Sequence, residues 1–233
     1  MPLHPPLWLN RHQAGLALAD AFSAWRGREA DTILLALPRG GVPVGAAMAA
    51  ELNLPLATWS VRKIADPTWP ELAIGAVAAH GVVVWRNGEA ATQRAQMAQH
   101  QGWLAAQQQE LERRRQLFGD PEDEQLRNRH LIVVDDGIAT GMTVKAALLS
   151  LRRLAPASLR LAVPVVDRSV AAELQPLVEQ LLALALVEDL IAVGLWYQQF
   201  EQLQDDQVLE LLHHSAVRRD EVRASRNRSE GLR

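Results

Sequence analysis

Leu131-Ile132-Val133-Val134-Asp135-Asp136-Gly137-Ile138-Ala139-Thr140-Gly141-Met142-Thr143 is the stretch that decides the fold. Four apolar residues make a strand buried on both faces, two acids follow at its carboxyl end, and a short Gly/Thr loop leads into the helical pattern Val144-Lys145-Ala146-Ala147-Leu148-Leu149. A strand, a small-residue turn and a helix start form an anion-binding device. The free N–H groups of the first helical turn and the helix dipole both favour a phosphate. Gly141 lets the backbone approach closely, and Thr140 and Thr143 add hydroxyl donors. The two carboxylates repel phosphate, so they suit sugar hydroxyls or a Mg²⁺ carried by a polyphosphate.

Two other readings of an acid pair fail on position and context. In a receiver domain the pair lies on the first strand, whereas 134 residues precede Asp135 here, and Thr140-Gly141-Met142-Thr143 has no use in that chemistry. A dinucleotide fingerprint needs G-x-G-x-x-G opening a helix, and none does so.

Working outward, apolar runs and helical periodicities alternate. Arg11 to Arg26 reads as a helix, Thr32 to Leu37 as a buried strand, Pro38 to Gly41 as a turn, and Val42 to Leu52 as a helix. Leu56 to Val61 reads as one strand, Leu72 to Val77 and Val82 to Trp85 as a hairpin about His80-Gly81, and Glu89 to Phe118 as a polar helix interrupted near Gly102. The helix Thr143 to Leu154, the strand Leu159 to Val165, a helix Ser169 to Leu182, a strand Leu184 to Val187 and a closing helix Asp205 to His213, capped by Asp205 or Asp206, complete the pattern. Such alternation predicts an α/β fold with a mostly parallel sheet covered by helices. Ligands then bind beyond the carboxyl ends of the strands, where Pro38–Gly41 and Asp136–Gly141 meet if their strands are neighbours.

Three further segments carry chemistry. Arg39 beside Gly40 and Gly41 sets a planar fork next to bare backbone N–H groups, which suits a pyrophosphate. Arg62-Lys63 ends the second apolar run. Trp196 and Tyr197, the latter the only tyrosine, belong to an aromatic cluster on which a base could stack or which could pack a core. Glu110 to Arg115 reads as a solvated charged face. Adjacent His213-His214 point in different directions on a helix and do not share a metal.

At these residues the chain resembles the type I phosphoribosyltransferases, whose signature is an apolar strand, two acids and a loop ending Thr-Gly-x-Thr. One bacterial branch, described only as predicted phosphoribosyltransferases, is especially similar. Leu37-Pro38-Arg39-Gly40-Gly41-Val42-Pro43-Val44, Arg62-Lys63, the run Pro70 to Val77, Asp135 to Gly141 and Gly194-Leu195-Trp196-Tyr197-Gln198-Gln199-Phe200 match it in order, over about residues 11 to 213. The resemblance implies a domain over 1–217 with a core at about 28–188 and a small hood from 1–27 and 189–217. It also implies a mobile hairpin loop that closes from Ala65 onward. As co-substrate it implies phosphoribosyl pyrophosphate (PRPP) with Mg²⁺. Asp135 and Asp136 would hold the ribose and the metal. Ala139, Thr140, Gly141, Met142 and Thr143 would wrap the 5′-phosphate. Arg39, Gly40 and Gly41, with Arg62 and Lys63, would meet the pyrophosphate, and Trp196 and Tyr197 the base. Ala139 stands where the hypoxanthine-guanine enzymes carry an acid, and Trp196 where they carry another, which argues against a 6-oxopurine acceptor. The expected activity is transfer of the phosphoribosyl group to a nitrogenous acceptor. The alternative is a non-catalytic PRPP-binding regulator.

Composition sets the remaining bounds. The chain has 233 residues, 48% of them apolar, and no cysteine, which removes disulfides, thiolate metal sites and a cysteine nucleophile together. A formal charge of −3 gives no footprint for nucleic acid. No apolar run approaches ~18 residues, and Met1-Pro2-Leu3-His4-Pro5-Pro6 lacks the pattern of a signal peptide, so a cytoplasmic location is expected. Residues 218–233 hold six arginines against three acids and read as a basic, disordered tail. Expected partners are small molecules and at most a second copy of the chain, with no membrane and no nucleic acid.

Overall fold

The structure is a computed structural model that describes residues 5–66 and 69–230. Its centre is a five-stranded parallel sheet in the order β2-β1-β6-β7-β8, formed by β1 (Thr32–Ala36), β2 (Leu56–Thr58), β6 (His130–Val134), β7 (Ser158–Asp167) and β8 (Gln180–Val187). β1 and β6 are buried almost throughout, as continuous runs of apolar residues require in a sheet covered on both faces. Side chains alternate between the two faces. Leu34, Ile132 and Val134 pack with Leu18, Phe22, Val44 and Met48 of α1 (Arg11–Ala21), its following turn, and α2 (Gly41–Leu52). Leu35, Leu131 and Val133 pack with Val144, Ala147, Leu148 and Leu151 of α6 (Met142–Arg152).

A second sheet lies across α6. It is antiparallel, in the order β3 (Val61–Asp66), β4 (Trp69–Ala78), β5 (Val82–Trp85). Its far face is covered by α3 (Glu89–His100) and α4 (Trp103–Phe118), through Ile64, Ile74, Val77, Ala98 and Leu111. Gly102, in the left-handed conformation at φ 79°, divides the two helices where the sequence predicts an interruption. A single-turn α5 (Asp123–Leu126), α7 (Arg168–Leu174) and α8 (Asp205–Glu230) complete the chain.

Four expectations from the sequence are corrected. The apolar run Leu56 to Val61 is two strands, because the chain leaves one sheet at Trp59-Ser60 and enters the other. Asp120, on the loop after α4, fixes that crossing by accepting hydrogen bonds from Thr58 Oγ1 at 2.7 Å and Ser60 N at 2.7 Å. The helix expected over Ser169 to Leu182 ends at Leu174, and a 3₁₀ turn containing Pro176 leads into β8 at Gln180. Asp205 and Asp206 are not caps but lie in the first turn of α8. That helix runs on past His213 to Glu230, through most of the segment expected to be a disordered tail.

The segments Leu7-Trp8 and Trp196–Gln198 meet beside the carboxyl end of β6. Leu7 N and Trp8 N donate to Trp196 O, and Gln198 N donates to Trp8 O. Trp8, Tyr197 and Phe200 form an aromatic knot there, with Tyr197 5.6 Å from Trp8 and 5.0 Å from Phe200, ring centre to ring centre. No described helix is long and apolar enough to cross a membrane.

Candidate active site

The two loops singled out in the sequence follow neighbouring strands, since β1 pairs with β6. They therefore open on one crevice. Their approach is close: a Cβ on Gly40 would lie 2.1 Å from Asp136 Oδ2, so a larger residue would push that carboxylate from the place where Arg11 holds it. The Pro38–Arg39 peptide bond is cis.

Asp135 and Asp136 leave β6 at its carboxyl end. The Asp136 N–H donates to Asp135 Oδ1 at 2.9 Å, and Arg11 Nε donates to Asp136 Oδ2 at 2.7 Å. That arginine also lies over the Phe200 ring, 3.7 Å from its centre. Burial and the neighbouring Asp136 charge push the Asp135 carboxyl well above the usual carboxylate range. Burial also raises Asp136, and Arg11 opposes that shift. A half-enclosed acid pair with one guanidinium is short of positive charge.

Beyond the acids, Ile138 is pinned to β7 from both sides: its N–H donates to Val165 O at 2.9 Å, and its carbonyl accepts from Asp167 N at 3.0 Å. Gly141 then turns the chain into α6 at φ 71°, with Val170 Cγ1 so near that a Cβ would meet it at 2.5 Å. Asp135, residues 137–144 and Lys63 line a cavity of about 270 Å³, onto which the first turn of α6 opens. Thr140 is exposed. A second cavity of about 380 Å³, with Trp85, Arg86 and Lys145, lies across the 139–142 loop. A larger cleft of about 560 Å³ between α1, α2 and α8 includes none of the acid pair or the 137–144 loop.

A model of the phosphoribosyl transferase domain matches residues 8–177, which include both loops and the acid pair. The chain belongs to that family. Two curated proteins of Mycobacterium tuberculosis, each named “Putative phosphoribosyl transferase”, are 35% identical over 207 residues, covering 88% of this chain and 46% of theirs. The chain thus spans about half the length of the curated relatives it matches. A solved structure of the Thermus thermophilus protein TT1426 aligns with TM-score 0.68 and 32% identity, over 88% of this chain and 97% of that one.

Within this phosphoribosyl transferase domain the expected site residues divide. Asp135, Lys63, Ala139, Thr140, Gly141, Met142 and Thr143 come together at one cavity, and Gly40 abuts Asp136. Arg62 and Lys63 separate, being successive residues of a strand: Lys63 lines the phosphate-loop cavity, while Arg62 turns to α4 and donates to Gln107 Oε1 at 3.1 and 3.3 Å. Arg39 donates to Leu203 O and lies 3.5 Å from Asp205 Oδ1. Tyr197 is 4% exposed, and its hydroxyl donates to Asp136 O at 2.6 Å. Its ring packs the hood, which corrects the expectation of a free face for a base. Trp196 is half-buried against the same knot. In the closing hairpin, Pro67 and Thr68 lie outside the described residues; Ala65 pairs with Ala73 and Asp66 with Trp69.

Arg11 is the cation of the acid pair, and no motif in the sequence singles it out. A helix opening disfavours positive charge, so an arginine at the first position of α1 is the one available hint.

Proposed function

We propose that the domain is a Mg²⁺-dependent phosphoribosyltransferase that binds PRPP, expels pyrophosphate and joins the ribose C1 to a nitrogenous acceptor. The observation that carries this reading is the single cavity shared by Asp135, the 137–144 loop with its helix start, and Lys63. It offers the Asp135 carboxylate for hydroxyls beside an anion cradle for the 5′-phosphate.

The residues fit a divalent cation held jointly with substrate. Two adjacent carboxylates, of which Asp135 is raised by burial and repulsion, are relieved by positive charge. No group of three or more candidate metal ligands occurs among the described residues, so substrate oxygens would complete the shell. Asp135 and Asp136 would hold the ion, which when bound neutralises charge on the leaving pyrophosphate. Asp136, positioned by Arg11 and by Tyr197 on its carbonyl, orients the ribose. Lys63 and the amides of α6 anchor the 5′-phosphate, leaving C1 free to travel between leaving group and acceptor. Arg39 and Arg62 stabilise the departing anion.

The test is pyrophosphate release from PRPP and Mg²⁺ across a panel of bases and small amines, with Asp136→Asn alongside wild type. The amide keeps hydrogen bonds but removes charge needed most in the transition state, so turnover falls by roughly 10²–10³ with a smaller change in affinity. A wild type that binds PRPP and never releases pyrophosphate would be a binding module instead.

A further inference from the structure

The charged stretch of α4 is solvated on one side only, with Glu112 and Arg113 exposed. Arg114 is buried, and α4 packs against β3, which brings Arg113 and Arg114 toward Arg62 and the turn that carries Arg39. Four guanidinium groups gather there with only two carboxylates to balance them. Glu110 takes Arg113 at 2.7 Å and Arg114 at 3.0 Å, and this holds its carboxyl down to about 2. Asp205 divides its two oxygens between Arg39 and Arg113, each at 3.5 Å. Arg62 has a neutral partner, Gln107, and no carboxylate within ion-pair distance among the described residues.

The cluster therefore carries a formal excess of two positive charges, partly out of water. Burial, and after it the charges of Arg114, Arg39 and Arg113, lower the pKa of Arg62 against the opposing pull of Glu110, so the repulsion is felt at that side chain. An arrangement of this kind is unfavourable by itself and is relieved by an anion of matching charge.

We infer that Arg113 and Arg114 of α4 join Arg39 and Arg62 in one subsite for a diphosphate anion, which Asp205 of α8 occupies as an internal stand-in until the anion displaces it. The subsite stands on charge and distance. Only its natural ligand, the pyrophosphate group of PRPP, rests on the transferase reading above. Asp205 suits the stand-in role because it opens α8, where the dipole stabilises its carboxylate and ties the closing helix to the Arg39 turn.

Calorimetry with inorganic pyrophosphate tests this, with ribose 5-phosphate as a control for the other loop. Arg113 is half exposed, so Arg113→Gln leaves the packing of α4 intact. It should weaken pyrophosphate about three- to tenfold, on the scale of one partly screened charge-assisted contact. Asp205→Asn should tighten pyrophosphate by a similar factor, because it removes the competing charge. Both variants should bind ribose 5-phosphate as wild type does. Pyrophosphate affinity unchanged in Arg113→Gln, or unchanged or weakened in Asp205→Asn, would overturn the inference, as would a wild type that binds no pyrophosphate at millimolar concentration. Pyrophosphate results as expected, with no PRPP turnover, would sink the transferase reading and leave the subsite standing.

Discussion

At the scale of single residues the site is held under electrostatic tension, and Asp135 bears most of it. A carboxyl raised in the folded state is disfavoured once ionised. Stability should therefore fall as pH rises from the ordinary carboxylate value, near 3.8, toward the raised one, and stay low above it. Asp135→Asn keeps an acceptor for the Asp136 N–H and removes the buried charge. It should stabilise the domain at neutral pH by about 1 kcal/mol, a typical gain where function has been holding stability down. That gain should shrink as pH falls through 3.8 and vanish below about pH 3, where the wild-type carboxyl is neutral in both states. Urea unfolding at pH 7 and at about pH 2.5 reads both halves, and a variant less stable than wild type at pH 7 would refute the argument. The acid pair itself was legible in the sequence because strand, acids and helix start are contiguous. Arg11 was not, since it comes from 125 residues away and nothing local marks it. Tyr197 was legible only as an aromatic: whether its ring served a base or the hood depended on Trp8 and Phe200, which folding brings to it.

At the scale of elements, the place where the chain changes sheets sets where Lys63 stands. Periodicity read Leu56 to Val61 as one strand because the run has no turn signal, and hydrophobicity carries no record of which sheet a residue joins. The information lies in Asp120, whose carboxylate accepts from Thr58 Oγ1, Ser60 N and Ser60 Oγ across some sixty residues. Burial raises that carboxyl, and the same three hydrogen bonds oppose the rise. Asp120→Ala strands the buried Ser60 N–H and both hydroxyls, and should cost about 2–4 kcal/mol. Because β3 begins at Val61, hydrogen exchange should quicken in β3 and β4 more than in β1 and β6. Uniform acceleration through both sheets would mean that Asp120 supports the whole core and has no special hold on the crossing. By contrast β1, α2, β6 and α6 could be read from sequence nearly to the residue, since each has its own period and a glycine-bearing turn at the end that matters.

For the whole molecule the question is whether the two regions proposed to bind anions, built on different loops, serve one ligand. The phosphate loop follows β6 and the Arg39 turn follows β1. The pairing of these strands sets the loops side by side, with Gly40 against Asp136 between them. A ligand that reaches both regions gains from being one molecule, because once one end is bound the other meets its site at high effective concentration. On the reading proposed here, PRPP with Mg²⁺ should raise the unfolding free energy by about 2.7 kcal/mol at a hundredfold excess over its Kd. At equal concentrations its effect should exceed the sum of the separate effects of ribose 5-phosphate and pyrophosphate. The Arg39 grip on Leu203 and Asp205 must loosen for pyrophosphate to enter, so part of the binding free energy goes into releasing the start of α8. Asp205→Asn lowers that cost. In this variant the excess of PRPP over the sum of its parts should persist while the pyrophosphate share grows. Thermal unfolding with the three ligands, singly and as the mixture of the two halves, decides the matter. A PRPP shift no larger than that of the mixture would mean that the two regions do not act on one molecule, however close the strands bring them.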